Sequence, residues 1–178
     1  MNQKLILVKI DKNYCNYLRK FDSKVPYNFG KKETRPFIGV LFKVENCMYF
    51  APLSSPKPKH IKMKSKIDFL KIDNGKLGVI NFNNMLPVLN DNIEKIDLGK
   101  ETKETEKKYL KLLKEQLYWL NRNNVKIYKK SERLYRKYIC GKLDVKTASR
   151  CCNFKLLEEK CNLYKNKNID THDIIIKY

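Results

Sequence analysis

Apolar positions follow two different rhythms along the chain. Over residues 1–99 they come in short runs separated by turn formers; beyond Gly99 they recur at helical spacing. Leu5–Ile10 and Pro36–Val44 are compact apolar runs, and Glu45-Asn46 turns the second into Cys47–Ala51, which predicts a hairpin. Ile67–Ile72 alternates in part, Asp73-Asn74-Gly75 is a strong turn signal, and Leu77–Phe82 reads as its partner strand. Met85–Leu89 extends the sheet, with Pro87 confining it to an edge or a bulge. A single helical turn is expected between Leu18 and Asp22, ending near Pro26.

Leu110, Leu113, Leu117 and Leu120 predict a helix over 102–121, with Trp119 in the core and Lys and Glu on the far face. Asn123-Asn124 interrupts it, a second helix is expected from about Ser131 to Cys140, and Gly141 stops that one. A short third helix covers Phe154–Cys161, and Ile174-Ile175-Ile176 suggests a late strand. The expectation is one α+β domain over 1–178: strands in 1–99, helices in 100–161, and an extension in 162–178.

Charge narrows the range of partners. Lys and Arg number 39 against 19 Asp and Glu, a formal net charge of +20 on 178 residues. An AT-rich genome explains Lys over Arg but not basic over acidic, because the same codon bias supplies Asp and Glu. A field of that sign attracts polyanions and speeds their association. Nucleic acid is the leading partner and anionic membrane the second. A membrane-surface protein concentrates its cations on one amphipathic helix, whereas here the lysines run from end to end. No run approaches the roughly eighteen apolar residues of a membrane span. The start, Met1–Ile10, is too short in apolar residues for a secretory signal, so a soluble, cytoplasmic protein is expected.

The cysteines at 15, 47, 140, 151, 152 and 161 form no Cys-x-x-Cys pair and have no His at zinc spacing. They read as reduced thiols. With His60 and His172 the only histidines, no metal or other cofactor is expected, and no Gly-rich phosphate loop is present.

The segment that carries chemistry is Tyr49-Phe50-Ala51-Pro52-Leu53-Ser54-Ser55-Pro56-Lys57-Pro58-Lys59-His60. A strand runs into a turn holding two hydroxyls, two lysines and a histidine between prolines that fix φ. Hydroxyl donors and lysine cations suit a phosphate and the charge that develops on it. A solvated basic loop closing a hairpin is the competing reading.

These residues also carry a resemblance. Phe21–Pro26, Arg35–Val40, Phe50–Pro56, Gly78–Val88 and Asn153–Lys160 occur in the order found in the ToxN/AbiQ family of type III toxin–antitoxin endoribonucleases, which this chain resembles over most of 5–160. The resemblance implies a compact, strongly twisted antiparallel sheet, a partial barrel similar to the Kid/MazF toxin fold, flanked by helices. It implies metal-independent RNA cleavage that leaves a 2′,3′-cyclic phosphate and a 5′-hydroxyl. It also implies inhibition by a small repeat antitoxin RNA folded as a pseudoknot, a cyclic or paired toxin–RNA assembly, cellular or phage RNA as substrate, and a role in abortive infection.

By position, Ser55 matches the family's active-site serine, Ser54 the preceding Ser/Thr place, and Lys57 the basic place two residues on. Arg35 stands where a lysine can occur, keeping the charge but not the capacity for proton transfer. Tyr14 matches a tyrosine of the pattern, His60 a histidine of some relatives, and Phe154 an aromatic able to stack on a base.

The expected catalytic set is therefore Ser55, Lys57, Arg35, Tyr14 and His60. Ser54, Lys31, Lys32, Lys59 and Phe154 are the expected RNA-binding set. In this scheme Ser55 orients the phosphate, Lys57 and Arg35 stabilise its charge, and Tyr14 or His60 handles a proton. Glu158-Glu159 diverge by about 100° on a helix and read as surface ion pairs. Two other classes stay open: a non-catalytic basic RNA-binding module, and a MazF-like nuclease with a protein antitoxin.

Overall fold

The structure, a computed structural model, describes residues 4–27, 35–99 and 103–175; Lys31 and Lys32 lie outside the described residues. Eight strands form one antiparallel sheet that does not close on itself, and the long helices follow the strands in sequence. The expected α+β class with a helix-flanked antiparallel sheet is the observed one.

The sheet is organised by β4 (Cys47–Ser54), the longest strand. Its first half lies between β3 (Lys43–Val44) and β7 (Leu86–Val88), paired Val44 to Cys47 and Phe50 to Leu86. Its second half lies between β2 (Phe37–Gly39) and β6 (Val79–Asn81), paired Phe37 to Pro52 and Ser54 to Val79. β1 (Ile6–Ile10) continues the sheet from β2 to the edge strand β8 (Ile93–Lys95), and β5 (Phe69–Lys71) forms the other end beside β6. Pro87 pairs only toward β4, so its missing N–H faces no second strand, as an edge position requires.

Between Leu5 and Leu89 the compact runs supply most of the core, and Phe37, Tyr49, Phe50, Ile80 and Phe82 are fully buried. The Glu45-Asn46 hairpin and the Asp73–Gly75 turn form where the turn residues place them, with Glu45, Asn74 and Gly75 at positive φ.

The helices depart from expectation in extent. Instead of one turn at 18–22, α1 spans Lys12–Arg19, capped by Asp11, whose carboxylate accepts the Tyr14 N–H at 2.7 Å. Helix α3 (Glu104–Arg122) meets expectation, and Trp119 packs partly buried against the core. Helix α4 (Asn124–Ile139) begins a full two turns before Ser131, because Ile127, Ser131 and Leu134 give a narrow buried stripe among many cations. Gly141, at φ +65, ends it as predicted. Two short helices go beyond the apolar pattern: α2 (Pro58–Lys62), started by a proline at its first position, and α5 (Val145–Arg150), capped by Asp144.

Helix α6 runs from Phe154 to Ile175. It runs on past the expected end at Cys161 and takes in Ile174 and Ile175 of the expected late strand, while Ile176 lies outside the described residues. The cysteines also need correction. Cys47 and Cys161, 114 positions apart, are paired as a disulfide, because α6 lies across the start of β4.

Candidate active site and nucleic-acid interface

Strand β4 ends in the bend Ser54-Ser55-Pro56-Lys57. Ser54 is half-buried, and Ser55, Pro56, Lys57, Pro58 and Lys59 are exposed. The bend is set from below by Gly78. At φ +101, a side chain there would place its Cβ 2.0 Å from the Ser54 carbonyl oxygen, so only glycine lets β6 approach this peptide. Gly75 does the same for α2, where a Cβ would lie 2.7 Å from the His60 carbonyl oxygen. The 75–78 turn therefore braces both the bend and the helix that follows it.

Arg35 joins from the other side. Phe37 pairs with Pro52, and the Leu53 N–H donates to the Pro36 carbonyl at 2.9 Å, so the register sets Arg35 opposite Ser54. Burial lowers the Arg35 pKa from its ordinary high value, yet a guanidinium stays charged across the usual range. Ser54, Ser55, Lys57 and Arg35 thus share one end of the β2–β4–β6 strip. Asn81, for which the sequence suggested no role, donates from Nδ2 to the Ser54 hydroxyl oxygen at 2.9 Å.

His60 lies on α2 immediately after the bend and is buried. Burial first, then Lys59 and Lys57, lower its pKa, so it is neutral at neutral pH. Its Nδ1 has no hydrogen-bond partner among the described residues.

Two expected site residues lie elsewhere. Tyr14 is fully buried on α1, and its hydroxyl donates to the Pro87 carbonyl at 2.7 Å. Burial pushes its pKa far above the ordinary tyrosine value, so it neither reaches a phosphate nor ionises. Phe154 is fully buried at the start of α6, with ring centroids 4.8 Å from Tyr138, 5.9 Å from Tyr135 and 6.0 Å from Tyr49. No face of it is left for a base. Glu158, expected in a surface ion pair, instead accepts the Tyr49 hydroxyl at 2.6 Å and the Tyr135 hydroxyl at 2.8 Å.

A basic groove of about 980 Å³ opens between α4, the end of α3 and the 65–67 segment that follows α2. Eight Lys or Arg line it, Lys126, Lys129, Lys130 and Arg133 among them, against a single acid, Asp144. Lys130 is crowded there: burial and then Lys126 lower its pKa, against a smaller opposing pull from Asp68.

The neighbouring wall is held by Asp68, almost fully buried, one of whose carboxylate oxygens accepts from Arg150 Nε at 2.9 Å and Nη2 at 2.7 Å. Arg150 is partly exposed and Asp68 is not, so losing the arginine would leave a buried carboxylate without its cation. The sequence marks the lysines of 103–137 as a solvated face or an RNA contact, and the fold gathers several of them into one concave surface.

Comparison with known proteins places this arrangement. The family model described as toxin ToxN of the type III toxin–antitoxin system matches residues 6–162. The chain belongs to the ToxN toxin family. The endoribonuclease ToxN of Bacillus thuringiensis subsp. kurstaki is 34% identical over 163 residues, covering 89% of this chain and 84% of that protein. The endoribonuclease AbiQ of Lactococcus lactis subsp. lactis is 34% identical over 165 residues, covering 87% and 86%.

Among solved structures, a bacterial type III toxin selectively inhibited by a non-coding RNA pseudoknot superposes with a TM-score of 0.78 at 33% identity, covering 92% of this chain and 99% of that one. The lactococcal anti-phage endoribonuclease AbiQ does so with a TM-score of 0.77 at 31% identity and the same coverages. ToxN membership thus spans the whole sheet, the bend and the start of α6. No helix among the described residues is long and apolar enough to cross a membrane.

Proposed function

We propose that this ToxN family member is an endoribonuclease toxin of the cytoplasm, inhibited by a small repeat RNA with a pseudoknot fold and acting in abortive infection against phage. The reading is supported by the relatives' names, by the antitoxin-inhibited and anti-phage structural neighbours, and by a +20 chain whose groove beside α4 is lined by cations.

The reaction is internal transesterification. The ribose 2′-oxygen forms a bond to the adjacent phosphorus, the bond from phosphorus to the 5′-oxygen breaks, one proton leaves the 2′-hydroxyl and another reaches the departing oxygen. Ser55 and Ser54 donate to the non-bridging oxygens, and Arg35 and Lys57 stabilise the charge that grows on them. Tyr14 lies away from the bend with its hydroxyl committed to the Pro87 carbonyl. That leaves His60 as the candidate acceptor: buried but next to the bend, held neutral by its surroundings, and with Nδ1 unpartnered among the described residues. The flanking RNA follows the basic groove, whose 65–67 wall continues the chain from the bend through α2.

One observation carries this reading. Strand register sets Arg35 opposite Ser54 at one end of the sheet, next to Ser55 and Lys57 on a bend that glycine contacts hold in place. The test is incubation of purified toxin with adenine-rich RNA, in chelator, beside the same RNA carrying 2′-deoxyribose. Cleavage of the first alone, with cyclic-phosphate ends, is the expected result. Intact RNA at every ionic strength leaves the non-catalytic module, and co-purification of a protein inhibitor in place of a short repeat RNA leaves the protein-antitoxin class.

A further inference from the structure

We infer that Asn81 is the positioning residue that aims the Ser54 hydroxyl at the substrate phosphate, an assignment that rests on the active-site reading above. A serine hydroxyl has one proton to give and two lone pairs to receive with. At Ser54 one lone pair is occupied by the Asn81 amide, 2.9 Å away. A hydroxyl held that way keeps its own proton free for an incoming oxygen. It is also stopped from turning back to its own backbone, the common fate of serine at the end of a strand.

The pairing register explains why Asn81 is the residue that reaches. Ser54 faces Val79 across β4 and β6, and Asn81 lies two positions further along β6, so its side chain emerges on the same face as Ser54 and on the diagonal. Strand β6 therefore holds the bend twice. Gly78 fixes the main chain by close approach to the Ser54 carbonyl, and three residues later Asn81 fixes the side chain. Asn81 is half-buried, which shields the bond from competition by water. Neighbouring polar side chains are committed elsewhere: Asn83 donates to Asn84 and to the Arg150 carbonyl, and Asn84 donates to the Lys24 carbonyl. Among these three asparagines of the Gly78–Val88 segment, only Asn81 points its amide at the bend.

A positioning role differs from a packing role in three measurable ways. Asn81→Asp keeps the shape but, once ionised, can only accept, so Ser54 must spend its proton on the carboxylate. Single-turnover cleavage should fall about tenfold, with the thermal midpoint held close to that of the native protein. Asn81→Ala should cost a similar factor in rate and little in affinity for a 2′-deoxy RNA that cannot be cut.

The pair should also be non-additive: in a Ser54→Ala background, Asn81→Ala should slow cleavage no further. Losses that multiply, an Asn81→Asp protein that cleaves at the native rate, or rate losses matched by weaker RNA binding each overturn the assignment. Ser55→Ala separates this failure from that of the active-site reading. If it abolishes cleavage while the Asn81 variants do nothing, only the role of Asn81 falls; if neither Ser54→Ala nor Ser55→Ala slows cleavage, both fall.

Discussion

The two ends of β4 carry similar chemistry and put it to opposite uses. Near its start, Tyr49 turns its hydroxyl inward to Glu158, within a ring of aromatics that includes Phe42, Tyr135 and Phe154. Five residues later, Ser54 turns its hydroxyl to Asn81 at the rim, and Ser55 is exposed. The difference lies in what covers each end. Helix α6 packs on β7 and the first half of β4, and the Cys47–Cys161 disulfide joins the two elements. The second half passes between β2 and β6 into the proline-flanked bend, where the chain is exposed from Ser55 to Lys59. A carboxylate and hydroxyls sealed under α6 hold the fold together, and hydroxyls with cations at the rim are free to meet a substrate.

The sharpest way to break that comparison is to change one residue at each end. Phe154→Ala opens a cavity among Tyr49, Tyr135 and Tyr138 and should lower the free energy of unfolding by about 3–5 kcal/mol, read by chemical denaturation. The protein that remains folded should still cut RNA. If the stability is unchanged and cleavage is lost, Phe154 touches RNA after all and the two ends are not distinct in role. Ser55→Ala is the reverse case. Its side chain is exposed, so the unfolding curve should not move, while cleavage should drop by roughly 10²–10³-fold, as for loss of one donor to a developing oxyanion. Antitoxin RNA should still co-purify, since one hydroxyl is a small part of a wide charged interface.

That contrast also explains which features are legible in the sequence. The strands can be read because their apolar runs are bounded by turn residues, and the bend because prolines, serines and lysines cluster there. Tyr14 and Phe154 mislead for one reason. A tyrosine or phenylalanine within a recurring motif has the same signature whether it meets a base or a core, and only the covering element decides between them. For Tyr14 that element is α6, whose Tyr164 ring lies 5.0 Å from the Tyr14 ring, together with β7, whose Pro87 carbonyl accepts the hydroxyl. Asn81 and the Cys47–Cys161 pair leave no local signal, because each depends on strand register or on the path of a helix that starts over a hundred residues after its partner. Cysteine spacing argues against a local motif but says nothing about pairing across 114 positions.

The groove gives a third, smaller contrast, between cations spread over a surface and cations gathered on a concave wall. If RNA follows the groove, replacing Lys129 or Arg133 by Gln should weaken binding at low salt. It should also flatten the dependence of log affinity on log salt by about 0.7–0.9 for each phosphate that is no longer neutralised. The same replacement at Lys20, exposed at the end of α1 and away from the groove, should leave that slope alone. Equal slopes for all three would return these lysines to the role of a general solvated surface. The measurement is a titration of labelled, uncleavable RNA across a range of ionic strength.

The smallest expected effect on stability concerns His60, which lies between the two categories: buried like the residues under α6, yet next to the bend. Burial and the neighbouring Lys59 and Lys57 lower its pKa in the folded protein. As pH falls through the ordinary histidine value near 6.5, the unfolded chain takes up a proton that the folded one refuses. The stability contributed by neutral His60 is therefore complete above that value and is lost progressively below it. In His60→Gln the decline between about pH 7 and pH 5 should be shallower in thermal melts. Cleavage then decides whether the residue belongs to the rim or to the interior. A proton acceptor would give the native rate profile an acid limb with its midpoint below about 6.5, and His60→Gln would remove that limb along with most of the rate. If the melts flatten and the rate profile stays as it was, His60 serves only to pack α2 against Gly75, and the proton passes through another group at the bend.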